Sequence, residues 1–275
     1  MNDTLRTGPR TRVAVAGLGA VGMKVVNALN DGMDGFELAA IAVRDVETAK
    51  DRIAHLRAPV PLVSVDELEQ YADIVVECAP ANLLHRIAEP FLRAGKKVIL
   101  LSCGALLENE YLIDVAKQHG GQIIVPSGAL LGLDAVSATA LGTIHSVRMT
   151  TRKPVRGLLG APHLIKNNID IEHITEPMMV FDGTAREAAI GFPANLNVAV
   201  ALSLAGSGPD STQLQIWADP NLSLNTHHIE VTSDSANLSM SIQNIPTNNP
   251  KTGRITALSV IATLQRLSAP LRVGT

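Results

Sequence analysis

Aromatic residues are scarce in this chain: four phenylalanines, two tyrosines and one tryptophan, 3% of 275 residues. With apolar residues at 46%, the core has to be built from Val, Ile, Leu and Ala, a composition that suits parallel strands buried on both faces. Cysteine is nearly absent as well. Cys78 and Cys103 are the only thiols, and both stand in apolar, strand-like contexts. That excludes a disulfide framework and fits a reducing compartment. The formal net charge is only −3, and no basic stretch is interleaved with aromatics, so nothing calls for nucleic acid as a partner. No apolar run reaches membrane-spanning length. Residues 1–10 are polar, carry no apolar h-region and read as a tail rather than a signal peptide. The expected setting is the cytoplasm, with no membrane partner. The length allows one large domain or two ordinary ones.

Glycine, by contrast, is concentrated where it carries information. An apolar run at residues 13–16 opens into Gly17-Leu18-Gly19-Ala20-Val21-Gly22, and a helical pattern follows. This is G-x-G-x-x-G in the strand–turn–helix context that binds dinucleotides. Gly17 allows a sharp turn off the strand, Gly19 leaves the backbone open to a pyrophosphate, and Gly22 permits close helix packing. Ala20 and Val21 lie at the helix start, where N–H groups and the helix dipole favour phosphate. A second apolar run ends at Arg44-Asp45. An acidic group there bonds the adenosine ribose and repels a 2′-phosphate, which favours NAD; the neighbouring Arg44 leaves NADP open. The competing reading is a glycine-rich turn that binds nothing.

The first half of the chain alternates strand and helix. Strands are expected at residues 13–16, 38–43, 61–63, 74–77, 98–101 and 123–125. Helices are expected at 21–29, 46–55, 83–94 and 112–119, and Ser64 with Glu67 reads as a capping box opening a helix to Tyr71. This repetition predicts a right-handed, mostly parallel sheet, an N-terminal Rossmann dinucleotide-binding fold. The strand ends Cys78-Ala79-Pro80, Ser102-Cys103-Gly104 and Pro126-Ser127-Gly128-Ala129 fall at the C-terminal sheet edge, where ligands bind such sheets. Cys78, Ala79 and Pro80 are therefore further cofactor candidates.

Beyond residue 130 the pattern changes. Helices are expected at 131–140, from Thr184 to Pro193 and at 195–204, and a loop at 157–168. Strands with period-two alternation are expected at 146–152, 213–218, 228–232 and 238–242. The fold class is α/β: a Rossmann domain followed by an α+β domain on an open, mainly antiparallel sheet. The expected domains are residues 1–128, joined by a C-terminal helix at 252–270, and residues 129–251. An open sheet has a face to cover and edges to pair, and a second copy of the chain does both, so a homodimer is expected.

The second half also carries a set of short blocks. Pro126-Ser-Gly-Ala-Leu-Leu-Gly-Leu-Asp134, Phe192-Pro-Ala-Asn-Leu-Asn-Val198, Ala218-Asp-Pro220, Asn225-Thr-His227 and Asn249-Pro-Lys-Thr252 resemble, in order, signature blocks of the L-aspartate dehydrogenase family. With the glycine loop they span nearly the whole chain. The resemblance implies an NAD(P)-dependent enzyme interconverting L-aspartate and iminosuccinate, which hydrolyses to oxaloacetate and ammonia. It implies that His227 is the catalytic histidine and that Ala129 and Asn197 contact the cofactor, with Asn195 nearby. No metal-ligand set is assigned.

Elementary chemistry agrees. An ammonium cannot release hydride from its carbon, so a base must first take a proton, and histidine titrates near the working pH. Among eight histidines, His55, His85 and His119 lie in helical patterns of the first half, and His145 and His173 have no partner motif. His227 and His228 stand at a loop-to-strand transition, where neighbours point to opposite faces. A dicarboxylate substrate also needs cations and amides. Lys166, Asn167, Asn168, Arg152, Lys153 and Lys251 are available, each most simply a solvated side chain; His163 with Lys166 is the preferred pair, and Asn195 is a further candidate. Asn195 can also serve as a helix N-cap, whereas Asn197 is expected on the core side of its helix. Cysteine is unexpected at the strand ends. Cys103 opens a rival reading, a thiol-dependent aldehyde or semialdehyde dehydrogenase, although no helix start or histidine accompanies it. A non-catalytic NAD(H)-binding sensor is a third.

Overall fold

The computed structural model describes residues 9–193, 196–246 and 253–274. The chain divides into two compact units, residues 1–126 with 260–272, and residues 127–259 with 273–275.

The first unit runs β1 (Thr11–Ala16), α1 (Ala20–Asp31), β2 (Phe36–Ala42), α2 (Val46–Ile53), β3 (Leu62–Val63), α3 (Leu68–Tyr71), β4 (Ile74–Glu77), α4 (Leu84–Arg93), β5 (Lys97–Leu100), α5 (Cys103–Glu108), α6 (Tyr111–His119) and β6 (Gln122–Ile124). Its six strands lie in the order β3-β2-β1-β4-β5-β6, and every pair is parallel. Chain order reverses between β1 and β4, which creates the crevice where doubly wound sheets take ligands. Val13 to Ala16 are wholly buried, as strands covered on both faces must be. Helix α4 buries Leu84, Ile87, Ala88, Phe91 and Leu92, the spacing of one helical face. Val260 and Leu264 join this unit's core.

Two local expectations change here. Ser64 does not cap a helix: its hydroxyl donates to the Glu67 carboxylate at 2.6 Å. The two close a turn, and a single helical turn, α3, follows it. Residues Cys103–Glu108 form a short helix that starts two residues beyond β5, so a helix start does accompany Cys103.

The second unit contains α7 (Leu133–Thr139), β7 (Ile144–Lys153), α8 (Pro162–Lys166), β8 (Met178–Thr184), α9 (Ala185–Gly191), α10 (Asn197–Ala205), β9 (Thr212–Ala218), β10 (Asn225–Ser233) and β11 (Asn237–Asn244); α11 (Arg254–Ser268) begins in it. The sheet order is β11-β10-β7-β9-β8. Three pairings are antiparallel, and β7 with β9 is parallel. Strand β8 was not expected. Residues 157–168, expected as loop, include α8, started by Pro162 at its first position. Thr184 caps α9 in a complete capping box with Glu187. Helix α10 starts at Asn197, and Asn195 lies outside the described residues. One face of the sheet packs the core: Val147, Met149, Leu214, Ile216, Ile229 and Val231 are all buried.

Candidate active site

In the first unit the glycine loop has the geometry of a phosphate cradle. Gly17 stands at φ +98°, and a Cβ there would lie 2.7 Å from the Cys78 carbonyl oxygen at the end of β4. A Cβ on Gly22 would strike the Gly17 carbonyl oxygen, so the helix packs against the loop itself. Gly19 differs. It is the N-cap of α1, with no side-chain cap, and a Cβ there would meet nothing within 4 Å. The first N–H groups of α1, from Ala20 to Gly22, thus start a helix with open space at its cap, which fits a pyrophosphate. Arg52 donates to the Leu18 carbonyl at 2.6 Å and holds the loop; as a lone arginine late in a short helix, it gave no signal in the sequence. Asp45 caps α2, taking bonds from the Thr48 N–H at 3.1 Å and hydroxyl at 2.7 Å. Those bonds hold its carboxyl below the usual range, so it is an anion at neutral pH. Arg44 is exposed.

A buried carboxylate staples the neighbouring strand ends. Glu77, wholly buried, accepts bonds from the Leu101 N–H at 3.1 Å, the Ser102 N–H at 2.9 Å and the Ser102 hydroxyl at 3.0 Å. Burial pushes its carboxyl up, against those donors. The staple fixes the end of β4, which leads into Cys78, Ala79 and Pro80, and the end of β5. A charged residue closing an all-apolar parallel strand was the available signal for it. Cys103 is 3% exposed, and burial together with the Glu77 charge pushes its thiol up to about 12. Such a thiol is no nucleophile at neutral pH. Cys78 is pushed up for the same reasons.

In the second unit the core face of the sheet turns polar at one end. Beyond Met149 on β7, the same face carries Thr151 and Lys153; before Ile229 on β10, it carries His227 and Asn225; on β11 it ends in Asn244. Thr151, Lys153, His227 and Asn244 are all buried. Thr151 stands directly across from His227, and its hydroxyl bonds the imidazole Nδ1. Burial, then the nearby Lys153 cation, pushes the His227 pKa down to about 3, so the ring is neutral at physiological pH. His228 points the other way. It is half-buried, with Nδ1 2.8 Å from the Ser241 hydroxyl. Asn244 donates to the Ala129 carbonyl at 2.8 Å, and Ser259 accepts from the Gly128 N–H at 3.1 Å. Asn244 also lies opposite Asn225, two residues from His227. The structure thus brings Ala129 and His227, two residues the sequence singled out, to the same end of one sheet. A cavity lined by Pro154, Arg156, Gly157, Ser223, Asn225 and Pro246 opens there.

Other expected site residues lie elsewhere. The His163 ring stacks on Phe192 and meets the Phe181 edge, each with centroids 5.2 Å apart. Phe181, Ile216, Thr151 and His227 form one row across four strands, which puts Phe181 about 14 Å from His227 at the usual strand spacing of ~4.8 Å. Lys166 is exposed at the end of α8. Among the described residues neither makes a polar contact with His227, and packing against aromatic rings accounts for His163. Asn197 is exposed at the first position of α10 rather than turned to the core. Lys153 is buried rather than solvated, and Arg152 lies 4.9 Å over the Trp217 ring. Asn195 and Lys251 fall outside the described residues.

A phosphate cradle on a doubly wound sheet, and a second sheet ending in a neutral imidazole among amide, hydroxyl and ammonium groups, are the parts of a nicotinamide-dependent dehydrogenase. Comparison with known proteins narrows that class. Residues 17–126 match the family model described as homoserine dehydrogenase, NAD binding domain, and residues 134–267 match that described as aspartate dehydrogenase, C-terminal. An L-aspartate dehydrogenase of Bradyrhizobium diazoefficiens is 58% identical over 96% of this chain and 94% of its own. L-aspartate dehydrogenase 3 of Bordetella bronchiseptica is 60% identical over 96% and 97%. The chain belongs to the L-aspartate dehydrogenase family. A solved aspartate dehydrogenase from Thermotoga maritima shares the fold at TM-score 0.72 and 24% identity, covering 97% of this chain and 100% of that one. GenD2 of gentamicin A biosynthesis, solved with NAD, shares it at TM-score 0.52 and 18% identity, covering 98% and 90%.

Proposed function

We propose that this protein oxidatively deaminates L-aspartate to iminosuccinate, which hydrolyses to oxaloacetate and ammonia, and runs the reverse reductive amination. The observation that carries the reading is the buried, uncharged His227 at the donor-rich end of the second sheet. Gly17, Gly19, Gly22 and the start of α1 would hold the dinucleotide's phosphates, with Asp45 favouring NAD through its negative charge; Cys78, Ala79, Pro80, Ala129 and Asn197 are the further contacts proposed. When bound, the nicotinamide supplies the hydride acceptor in one direction and the donor in the other.

The chain's own residues manage the protons. Aspartate arrives as an ammonium, whose nitrogen lone pair is unavailable to support loss of the α-hydrogen with its electron pair. His227 takes that proton. Thr151 accepts the imidazole Nδ1–H, which leaves the Nε2 lone pair for the substrate. Loss of hydride then forms the C=N bond of iminosuccinate. The imidazolium sheds the first proton to solvent; water then adds to the iminium carbon, giving a proton to the freed imidazole, which returns it to the nitrogen, and ammonia leaves as the hydroxyl loses its proton and the C=O bond forms. An imidazole held at about 3 is a weak base by itself. A dicarboxylate placed beside Lys153 offsets the cation that helps hold it down, so substrate binding raises its proton affinity.

The thiol-dependent reading through Cys103 loses its chemical basis with a thiol at about 12. A homodimer in the cytoplasm is part of the proposal. Both cysteines are free thiols, and among the described residues no helix is long and apolar enough to cross a membrane. The test is absorbance of reduced nicotinamide with purified protein, NAD or NADP, and a panel of amino acids. Turnover selective for L-aspartate and better with NAD is expected. Equal turnover of unrelated amino acids, or none from neutral to alkaline pH, contradicts the proposal.

A further inference from the structure

We infer that Glu77 is the counter-charge of the nicotinamide ring: its buried carboxylate favours the oxidised, cationic cofactor over the reduced, neutral one. This assignment rests on the cofactor reading proposed above and bears on the direction of the reaction. Glu77 has no exposed surface, and among the described residues of the first unit it is the one buried side chain that carries a charge. A buried charge is costly and is kept where it is bonded and has a use. Its donors are neutral: the N–H groups of Leu101 and Ser102 on one oxygen, and the Ser102 hydroxyl on the other. Two of these are backbone N–H groups, which can only donate and so favour the carboxylate, against the effect of burial. Among the described residues no lysine or arginine pairs with it. Those of this unit pair with other acids, as Arg12 does with Asp73, Arg86 with Asp66 and Lys96 with Glu69.

The place of the charge selects its partner. Glu77 is the last paired residue of β4, level with Ala16 of β1 and Leu100 of β5. Ala16 runs directly into Gly17, and the Cys78 N–H bonds the Ala16 carbonyl at 2.9 Å. Glu77 therefore stands beside the base of the phosphate cradle, and its carboxylate reaches toward the end of β5. In a doubly wound sheet the pyrophosphate lies where the strand order reverses, with the adenosine half toward β2. That leaves the ends of β4 and β5 to the nicotinamide half. The two forms of the cofactor differ by a hydride, a proton with two electrons, and so by one unit of charge on the ring. A fixed anion in a low-dielectric setting attracts the cationic form and leaves the neutral one unaffected. Bound cofactor then gives up hydride more readily than it would without the carboxylate, which favours reductive amination over deamination.

The test uses the full chain as wild type, E77Q and E77D. Calorimetry gives the Kd for NAD, fluorescence titration gives it for NADH, and the ratio of the two is the readout. Loosening of the strand ends moves both values together, whereas loss of the charge moves one. E77Q is expected to raise the ratio of the NAD Kd to the NADH Kd by about 10- to 50-fold, the attraction of unit charges several ångströms apart at an effective dielectric constant of about 20. E77D keeps the charge and should hold the ratio within about threefold of wild type, half a decade in affinity. An E77Q ratio within about threefold of wild type would overturn the inference, as would an E77D ratio equal to that of E77Q. So would a wild type that holds NADH more than about tenfold more tightly than NAD, a measurement that needs no variant to fold. If wild type binds neither form, the cofactor reading falls and the counter-charge with it. If E77Q shifts the ratio but wild type turns over no amino acid, the counter-charge stands and the proposed reaction falls.

Discussion

His227 and His228 are one peptide apart and chemically identical, yet one is a buried neutral ring and the other a half-buried side chain beside Glu230. Strand alternation alone separates them. The three glycines of the cradle divide in the same local way. Gly17 and Gly22 are required by the fold, because a Cβ on either meets backbone, whereas Gly19 faces open space. Replacing each with alanine therefore has different consequences. G22A should lower the melting temperature markedly through overpacking, by about 1–3 kcal/mol or more. G19A should melt as wild type does but bind NADH at least about tenfold more weakly, because its methyl group occupies the space a pyrophosphate needs. Thermal melts with NADH titrations check both. A G19A protein with unchanged NADH affinity would move the cofactor site elsewhere.

The end of an element, more than its middle, determines what this chain can do. Glu77 closes β4 and holds β5 through three hydrogen bonds. E77A removes the oxygen that accepts from both the Leu101 and Ser102 N–H groups. It should cost about 1–3 kcal/mol, the penalty for leaving a buried polar group unpaired, read as a lower midpoint in urea; an unchanged midpoint would remove the staple from the account. The strands and helices with strong periodicity were legible in the sequence: β1, β2, β4 and α4 fall within a residue or two of where the apolar pattern puts them. Strand β8 was not, because Met178-Met-Val-Phe-Asp-Gly-Thr184 has no clean alternation and pairs through a bulge near Val180. Helix α8 hid among Gly, Pro and polar residues. The site was half legible. In the proposed site the glycine loop stood out, but only the resemblance set His227 above His228, and Lys153 looked like the solvated end of a strand. Only the pairing of β7 with β10 brings it beside the imidazole, and that pairing joins residues more than seventy positions apart.

At the scale of the whole molecule, one unit carries the glycine loop and the other His227, the proposed base, and each has its own core. The second sheet keeps its other face open. There Arg152 lies over Trp217, whose indole N–H is buried with no hydrogen-bond partner among the described residues, and β11 is an edge strand. A partner copy covering this face would bury the ring further and pair the edge. Light scattering at micromolar concentration should return twice the mass of one chain, and the mass of a single chain would exclude the dimer. In the proposed reaction the imidazole of His227 handles the substrate nitrogen's proton. The most direct measurement is single-turnover reduction of NAD by L-aspartate with H227A beside wild type. The account predicts a rate at least about 100-fold lower, with NADH affinity unchanged. Reduction by H227A at the wild-type rate would contradict it.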